Sequence, residues 1–348
     1  MLFSSLFLLI LLPVVFGQQI LDGLIQALNA SGLTSLASVS AALNSTPQGQ
    51  GVVQSISSGN WTIFAPSNQA FGSAPANLSS NASSVANILS YHIVSGNFTN
   101  ASPEFPNITI GRTLLNDSSL VQLEGNKSQV LAWSKDNNGI FVINNGTIDR
   151  VQNTTSFQNL QILVIDAILQ PPPKTSDVLA NSVYNLNNFT AVLGAVNTTD
   201  ALDEAHGITL FAPNDTAIST TQCSVGGLLP NVTVVTALLG NHIINGTTVY
   251  SPEFDAGNNF TSTSGEQFTF TSNSSGQFVS IGGSNTARIV RSDVLTSNGV
   301  VHVIDSVLCD TQSNPTAASS AAQSASSAAA TMTTTETGPV GVAPTSTG

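Results

Sequence analysis

Two successive copies of the same three boxes limit what this chain can fold into. In the first copy, Trp61-Thr62-Ile63-Phe64-Ala65-Pro66-Ser67 runs from an apolar segment into a helix start, and Val164-Ile165-Asp166-Ala167-Ile168-Leu169 closes the frame. In the second, Ile208-Thr209-Leu210-Phe211-Ala212-Pro213-Asn214 is closed by Val303-Ile304-Asp305-Ser306-Val307-Leu308. Unrelated landmarks keep nearly one spacing: Phe64 and Phe211 are 147 positions apart, His92 and His242 are 150, and the Ser-Pro-Glu-Phe strings at Ser102 and Ser251 are 149. Asp166 and Asp305 are only 139 apart, so the second copy is shorter before its last strand. Such a period is too long for a solenoid unit and matches a domain.

The flanking segments set the limits of the pair. Residues 1–17 are mostly apolar and end in Val15-Phe16-Gly17, a small residue at a cleavage point before Gln18. A stretch this short reads as a signal peptide rather than a membrane span. The first domain is predicted over residues 19–170. Gln170-Pro171-Pro172-Pro173-Lys174 gives a semi-rigid polyproline linker over 171–175. The second domain follows over 176–310. Residues 311–348, almost wholly Ser, Thr, Ala, Pro and Gly, are predicted to be an extended, disordered and O-glycosylated stalk. A lipid anchor would need a hydrophobic tail of about 10–20 residues after a small-residue site. No such tail lies within these residues, which leaves a sequence continuing past Gly348, release, or attachment to a wall or matrix through glycans.

Charge narrows the partners. Of the 348 residues, 7% are charged and the net charge is −12. The Lys and Arg residues are too scattered to neutralise phosphates, which excludes nucleic acid and makes anionic membrane surfaces poor partners. Any membrane attachment would pass through a lipid anchor. With so few charges, solubility is expected to come from N-glycans. Asn-x-Ser/Thr sequons occur at Asn29, Asn44, Asn60, Asn77, Asn81, Asn97, Asn100, Asn107, Asn116, Asn126, Asn145, Asn153, Asn188, Asn197, Asn214, Asn231, Asn245, Asn259 and Asn273. Some arise by chance in an Asn-rich chain, and Asn60 and Asn214 abut the repeated strand, where transfer is hindered; a majority is expected to be used.

Within each copy the pattern is mixed α+β. Leu24, Ile25, Leu28, Leu33 and Leu36 recur at helical spacing, as do Val178, Leu179, Val183, Leu186 and Phe189 after the linker. Pro66 and Pro213 end short strands, and Ser67 or Asn68, then Asn214 or Asp215, cap the helices that follow. Gln267–Thr271 and Gln277–Ile281 alternate apolar and polar residues as half-buried strands do. Asn298-Gly299 signals a hairpin before the last strand. The first copy has no such dipeptide and is read as carrying a longer connection over Asn153–Asn159.

The Phe-Ala-Pro box, Tyr91-His92 or Asn241-His242 after a helix, and the terminal Val-Ile-Asp box together resemble the fasciclin (FAS1) family, over about residues 19 to 310. The resemblance implies two FAS1 domains, each a wedge-shaped β-sandwich of about seven strands with surrounding helices. It also implies a secreted or cell-surface glycoprotein of fungal or plant type, acting in cell adhesion or in extracellular matrix or cell-wall organisation. Partners would then be matrix, cell-wall glycans or cell-surface proteins, with self-association as a further option. In animal members the Tyr-His region is linked to adhesion, which makes Tyr91, His92, Asn241 and His242 the candidate adhesion region. The bland alternative is a histidine hydrogen-bonded within the fold. A carrier of glycan or lipid, using an apolar cleft lined by Phe254 or Phe268, is the alternative function.

No catalytic or metal-ligating arrangement stands out, and no cofactor is implied: His92, His206, His242 and His302 are not at ligand spacing, and there is no nucleophile elbow or phosphate loop. Asp166 and Asp305 are read as acceptors of backbone hydrogen bonds at a strand turn; a hydrolase would need a convergent pair such as Asp305 and His242. In an oxidising compartment the two cysteines, Cys223 and Cys309, are expected to form one intramolecular bridge worth on the order of 4 kcal/mol in the chain-entropy model. Intermolecular pairing is the alternative.

Overall fold

The computed structural model describes residues 8–73, 81–98, 108–220, 231–254, 257–283, 285–332 and 338–341, with side chains from residue 19 onward. The first domain runs α1 (Leu8–Ala30), α2 (Thr34–Ala41), α3 (Pro47–Ile56), β1 (Trp61–Pro66), α4 (Asn68–Gly72), α5 (Ala82–Tyr91), β2 (Ile93–Ser95), β3 (Ile108–Arg112), β4 (Val130–Asp136), β5 (Gly139–Asn144), β6 (Thr147–Phe157) and β7 (Leu160–Ile165). The second runs α6 (Thr175–Ala180), α7 (Asn187–Ala195), α8 (Thr199–Glu204), β8 (Ile208–Pro213), α9 (Asp215–Thr220), α10 (Val232–Gly240), β9 (Ile243–Asn245), β10 (Phe260–Thr261), β11 (Gln267–Asn273), β12 (Gly276–Ile281), β13 (Ala287–Thr296) and β14 (Gly299–Ile304). A last helix, α11, spans Pro315–Thr331.

Strand order confirms the duplication. One seven-stranded sheet reads β2-β1-β7-β6-β5-β4-β3, and the other reads β10-β11-β12-β13-β14-β8-β9, the same order with each strand in the corresponding place. In both, the Phe-Ala-Pro strand pairs in parallel with the Val-Ile-Asp strand: Phe64 lies opposite Leu163, and Phe211 opposite His302. The seven strands are continuous in hydrogen bonding rather than split into two separate sheets. The long β6 joins the halves, pairing with β5 at Thr147–Arg150 and with β7 at Val151–Phe157, across a register shift between Val151 and Asn153. β13 makes the same join with register shifts between Ile289 and Val294. An extra residue at such a shift bends a strand and raises its twist, which folds one half of the sheet over the other.

The repeated strand is buried on both faces, as parallel strands usually are. In β1, Ile63 and Ala65 pack against α1, α2, α3 and α5, while Phe64 points into a second core with Tyr91, Trp133 and Leu163. In β8, Leu210 and Ala212 face the helices and Phe211 faces Phe254, Phe268 and Phe270. Side chains alternate along a strand, so three consecutive residues serve two cores. Beyond each proline the cap is Ser67, whose Oγ accepts from Ala70 N at 3.3 Å, and Asn214, whose Oδ1 accepts from Ala217 N at 2.8 Å. The next residue ties the capped helix to the opening helices: Asn68 bonds Gly32 O and Ser35 N, and the Asp215 carboxylate accepts from Asn188 N.

Three sequence expectations are corrected. Asn153–Asn159 is no long connection: β6 continues to Phe157, and Gln158-Asn159 is a two-residue turn with Gln158 at φ 51°. The Asn-Gly hairpin is shifted by one, because the turn is Ser297-Asn298 and Gly299 already pairs with Thr296. Gly299 is required by close approach rather than by turn geometry, since a Cβ there would collide with the Ile208 carbonyl. The stalk is not wholly extended: Asn314 caps α11, its Oδ1 accepting from Ala317 N at 3.1 Å, with Pro315 in the first turn. Ala is the best helix former, so a segment with no core-forming residues still holds a helix here.

The two domains pack on each other. Gln122 N donates to Ser297 O at 2.8 Å, Gly207 N to Gln122 O at 3.2 Å and Gln129 Nε2 to Thr296 O at 3.0 Å. Glu124 is buried at 4% exposure between Lys127 Nζ, 2.8 Å from Oε1, and Thr248 Oγ1, 2.8 Å from Oε2. Ile110, Val130, Ala132, Tyr250, Leu295 and Val300 form an apolar cluster across this seam. Val340 of the C-terminal segment completes it, donating its N–H to Ile110 O at 2.8 Å. The buried Arg112 guanidinium lies 5.8 Å from the Tyr250 ring centre, within cation–π range.

Glu124→Ala strands the Thr248 hydroxyl and leaves Lys127 without its carboxylate. It is expected to cost about 1–3 kcal/mol, read as a lower Tm, and to broaden the interdomain distance distribution in small-angle scattering.

Candidate functional site

The matching histidines sit where all three boxes converge. His92 is 1% exposed. Its Nδ1 donates to Ile88 O at 2.7 Å, and its Nε2 accepts from Leu169 N at 3.0 Å. Its carbonyl accepts from Phe64 N at 2.9 Å. His242 repeats the arrangement with Leu238 O at 2.8 Å, Leu308 N at 3.1 Å and Phe211 N at 2.9 Å. Because a backbone N–H can only donate, Nε2 is unprotonated and the ring is neutral. Burial pushes both imidazoles down to about 4, the hydrogen bond to the helix carbonyl opposing the shift.

This placement corrects the candidate adhesion region. Tyr91, His92, Asn241 and His242 are all buried, so a partner cannot touch them on this fold. Tyr91 fills the core around Trp133, and burial raises its phenol pKa. Asn241, in the place of Tyr91, uses its amide as a tie: Nδ2 donates to Asp310 O and Gln312 O, and Oδ1 accepts from Ser262 Oγ at 2.7 Å. The apolar cleft is corrected too. Phe254 and Phe268 are core residues, Phe254 stacking on Phe270 at 4.6 Å and Phe268 lying 5.0 Å from Phe211.

The closing aspartates are exposed acceptors. Asp166 Oδ1 takes the Ser67 hydroxyl at 2.8 Å, and Asp305 Oδ1 takes Arg288 N at 2.9 Å. Asp305 therefore closes the end of the β13–β14 ladder, while both His242 nitrogens are engaged with backbone. A Ser-His-Asp grouping that the sequence did not flag does exist at Ser251, Asp293 and His302. Asp293 accepts from the Ser251 hydroxyl and from Ser251 N, and its own N–H donates to His302 Nδ1 at 3.2 Å. The His302 ring bonds only backbone, its Nε2 donating to Val249 O, and all three residues are buried in the second domain. Serine and imidazole are not joined as nucleophile and base; the group pins β13 to the segment before Phe254. Among the described residues, no cluster of three or more His, Cys, Asp or Glu could hold a metal ion.

Two concave surfaces are relevant to binding. A groove of about 1590 Å³ opens on the first domain between α3, α5, the ends of β1 and β2, and the loop at Asn116–Ser118. Trp61, Asn60, Asn87, Asn97 and Asp117 are on its walls with several serines. A cavity of about 410 Å³ lies at the seam between Leu123–Asn126, His206, Asn245, Gly246 and α11. Sequence reading missed the groove because its residues come from segments with no common spacing. Of the sequons, Asn77, Asn100 and Asn107 lie outside the described residues, Asn44 and Asn214 are half-buried, and the others are exposed. Cys309 is not a free thiol, and Cys223 lies outside the described residues.

A Fasciclin domain model matches residues 23–171 and 184–310. The fasciclin-like arabinogalactan protein of Arthroderma benhamiae is 27% identical over 294 residues, 80% of this chain and 65% of that protein. The immunogenic protein MPB70 of Mycobacterium bovis is 31% identical over 151 residues, 42% of this chain and 68% of MPB70. Among solved structures, a FAS1 domain pair from the insect cell adhesion molecule Fasciclin I aligns with a TM-score of 0.40 at 18% identity, over 81% of this chain and 98% of that one. The chain thus spans less than two thirds of the length of the arabinogalactan relative.

The buried histidines set an acid limit. Unfolded histidine titrates near 6.5, so the unfolded chain binds protons between about 6.5 and 4 that the folded chain refuses. Their stabilising contribution is full above pH 6.5 and is lost as pH falls toward 4. Tm measured across that window is expected to drop steadily, and His242→Gln is expected to reduce the slope.

Proposed function

The chain belongs to the Fasciclin family, and we propose that it is a secreted or cell-surface glycoprotein that acts by binding, in cell adhesion or in the organisation of an extracellular matrix or cell wall. The observation that carries this reading is the match of both domains to the Fasciclin model. The name of the Arthroderma relative, a fasciclin-like arabinogalactan protein, points the same way. Exposed sequons on both domains supply sites for a glycan coat, and residues 1–17 supply a leader for the secretory pathway. The Cys223–Cys309 bridge belongs to the same reading, as a product of oxidative folding. Among the described residues, no helix is long and apolar enough to cross a membrane.

Deleting the gene is expected to weaken cell-cell and cell-surface attachment, and re-expression to restore it; unchanged attachment would rule the function out. On the secreted protein, N-glycosidase treatment should collapse a diffuse gel band to a sharp one of lower mass. Reduction should slow its migration slightly without dissolving a dimer band.

A further inference from the structure

The duplication makes a controlled comparison possible, because the same sheet corner occurs in both domains with different surroundings. In β1 and β2, Trp61 pairs with Ser95; in β8 and β9, Ile208 pairs with Asn245. Asn60 and Gly96 therefore correspond to Gly207 and Gly246. In the second domain this corner is occupied. Gly207 N bonds Gln122 O, a Cβ on Gly207 would collide with the Glu124 carboxylate, and α11 lies over Gly246, where an added Cβ would be 2.9 Å from Ala325 Cβ. In the first domain the corner opens into the groove of about 1590 Å³.

The chemistry of that groove is specific. Trp61 is half-buried, one part of its ring packed on the helical core and its Nε1 donating to Ser58 O at 2.7 Å, which fixes the ring at the wall. Asp117 is held in place by three donors: Ser119 N at 2.9 Å, Ser119 Oγ at 2.7 Å and Asn87 Nδ2 at 2.7 Å. Among the described residues it is the only charged side chain on the lining; the remainder is amide, hydroxyl, glycine and a few aliphatic groups. A fixed aromatic face beside neutral amides, hydroxyls and one oriented carboxylate matches a ligand carrying many hydroxyls, apolar C–H faces and no strong charge. A nucleotide, a lipid headgroup or an acidic peptide would find no cation among the described lining residues.

We propose that this groove of the first domain is an oligosaccharide-binding site, with Trp61 as the stacking platform and Asn87 and Asp117 as the hydrogen-bonding wall. The inference rests on the binding role above and names its ligand class. The sugar has two sources: a separate glycan of the wall or matrix, or the protein's own N-glycan, since Asn60, Asn97 and Asn116 are sequons on the same lining.

The test uses the full secreted chain, untreated and with N-glycans trimmed to the first N-acetylglucosamine. Cellohexaose, laminarihexaose and chitohexaose serve as probes, followed by calorimetry and tryptophan emission. The chain has two tryptophans and Trp133 is 1% exposed, so an emission change reports Trp61. Saturable binding of a probe to the untreated chain identifies a separate glycan. An emission shift on trimming, with probe binding only afterwards, identifies the chain's own. In either case Trp61→Phe should weaken probe binding at least tenfold and Asn87→Ala severalfold. Asn87→Ala removes a buried amide that belongs to neither apolar core of the first domain, and it gives the test a second variant should the Trp61 variant misfold. Absence of heat and emission change with every probe and on trimming overturns the site, as does binding unaltered in both variants. Attachment assays separate the two claims: a deletion phenotype without probe binding removes this site and leaves the adhesive role standing.

Discussion

One neutral histidine per domain holds the fold together. His92 and His242 each join a helix end, the Phe-Ala-Pro strand and the residue that closes the Val-Ile-Asp-x-x-Leu box, through two ring nitrogens and one backbone carbonyl. Each ring bridges two backbone groups that would otherwise be unpaired in the core, where an orphaned polar group is expensive. The parallel strand pair beside it is buried on both faces, so its position decides where both cores form. The chain has conserved this joint between its own two copies while the surroundings diverged, with Tyr91 filling a core and Asn241 tying down the chain that leaves the second domain.

What was legible in the sequence follows from that joint. Phe64, Pro66 and His92 recur at Phe211, Pro213 and His242 because each has a geometric duty that few residues can fill, and so fold, duplication and family could all be read. The cap at Ser67 and Asn214 was legible for the same local reason. Asn159 shows the limit. It occupies the position of Asn298, and both send their amide to carbonyls just before the repeated strand, Asn159 to Ile56 and Gly59, Asn298 to Leu202 and Ala205. Without its following glycine the residue looked like part of a loop, because the tie is to a chain segment about a hundred residues away. The helix at Pro315–Thr331 buries no residue and rests on alanine's helical preference, so no apolar pattern in the sequence marks it. The groove was invisible for a third reason: Trp61, Asn87 and Asp117 meet only after the sheet and two helices have been placed.

Corresponding corners acquire different fates when a domain has a neighbour. The Gln122–Lys127 turn of the first domain, with its buried Glu124, fills the corner of the second and forms the seam. The corresponding connection between β10 and β11 is only five residues, Ser262 to Glu266, and is bonded back on itself through Ser262 and Ser264. The asymmetry leaves one corner structural and one open.

Hydrogen exchange of the intact glycoprotein, resolved to peptides covering the two corners, tests this account most directly. Amides at Gly207, Thr248 and Val249 should be protected at all times. Those at Asn60, Asn97 and Asn116–Ser118 should exchange fast when the groove is empty of sugar and slow when a binding oligosaccharide is present. Equal exchange at the two corners, unaffected by any glycan, would contradict it.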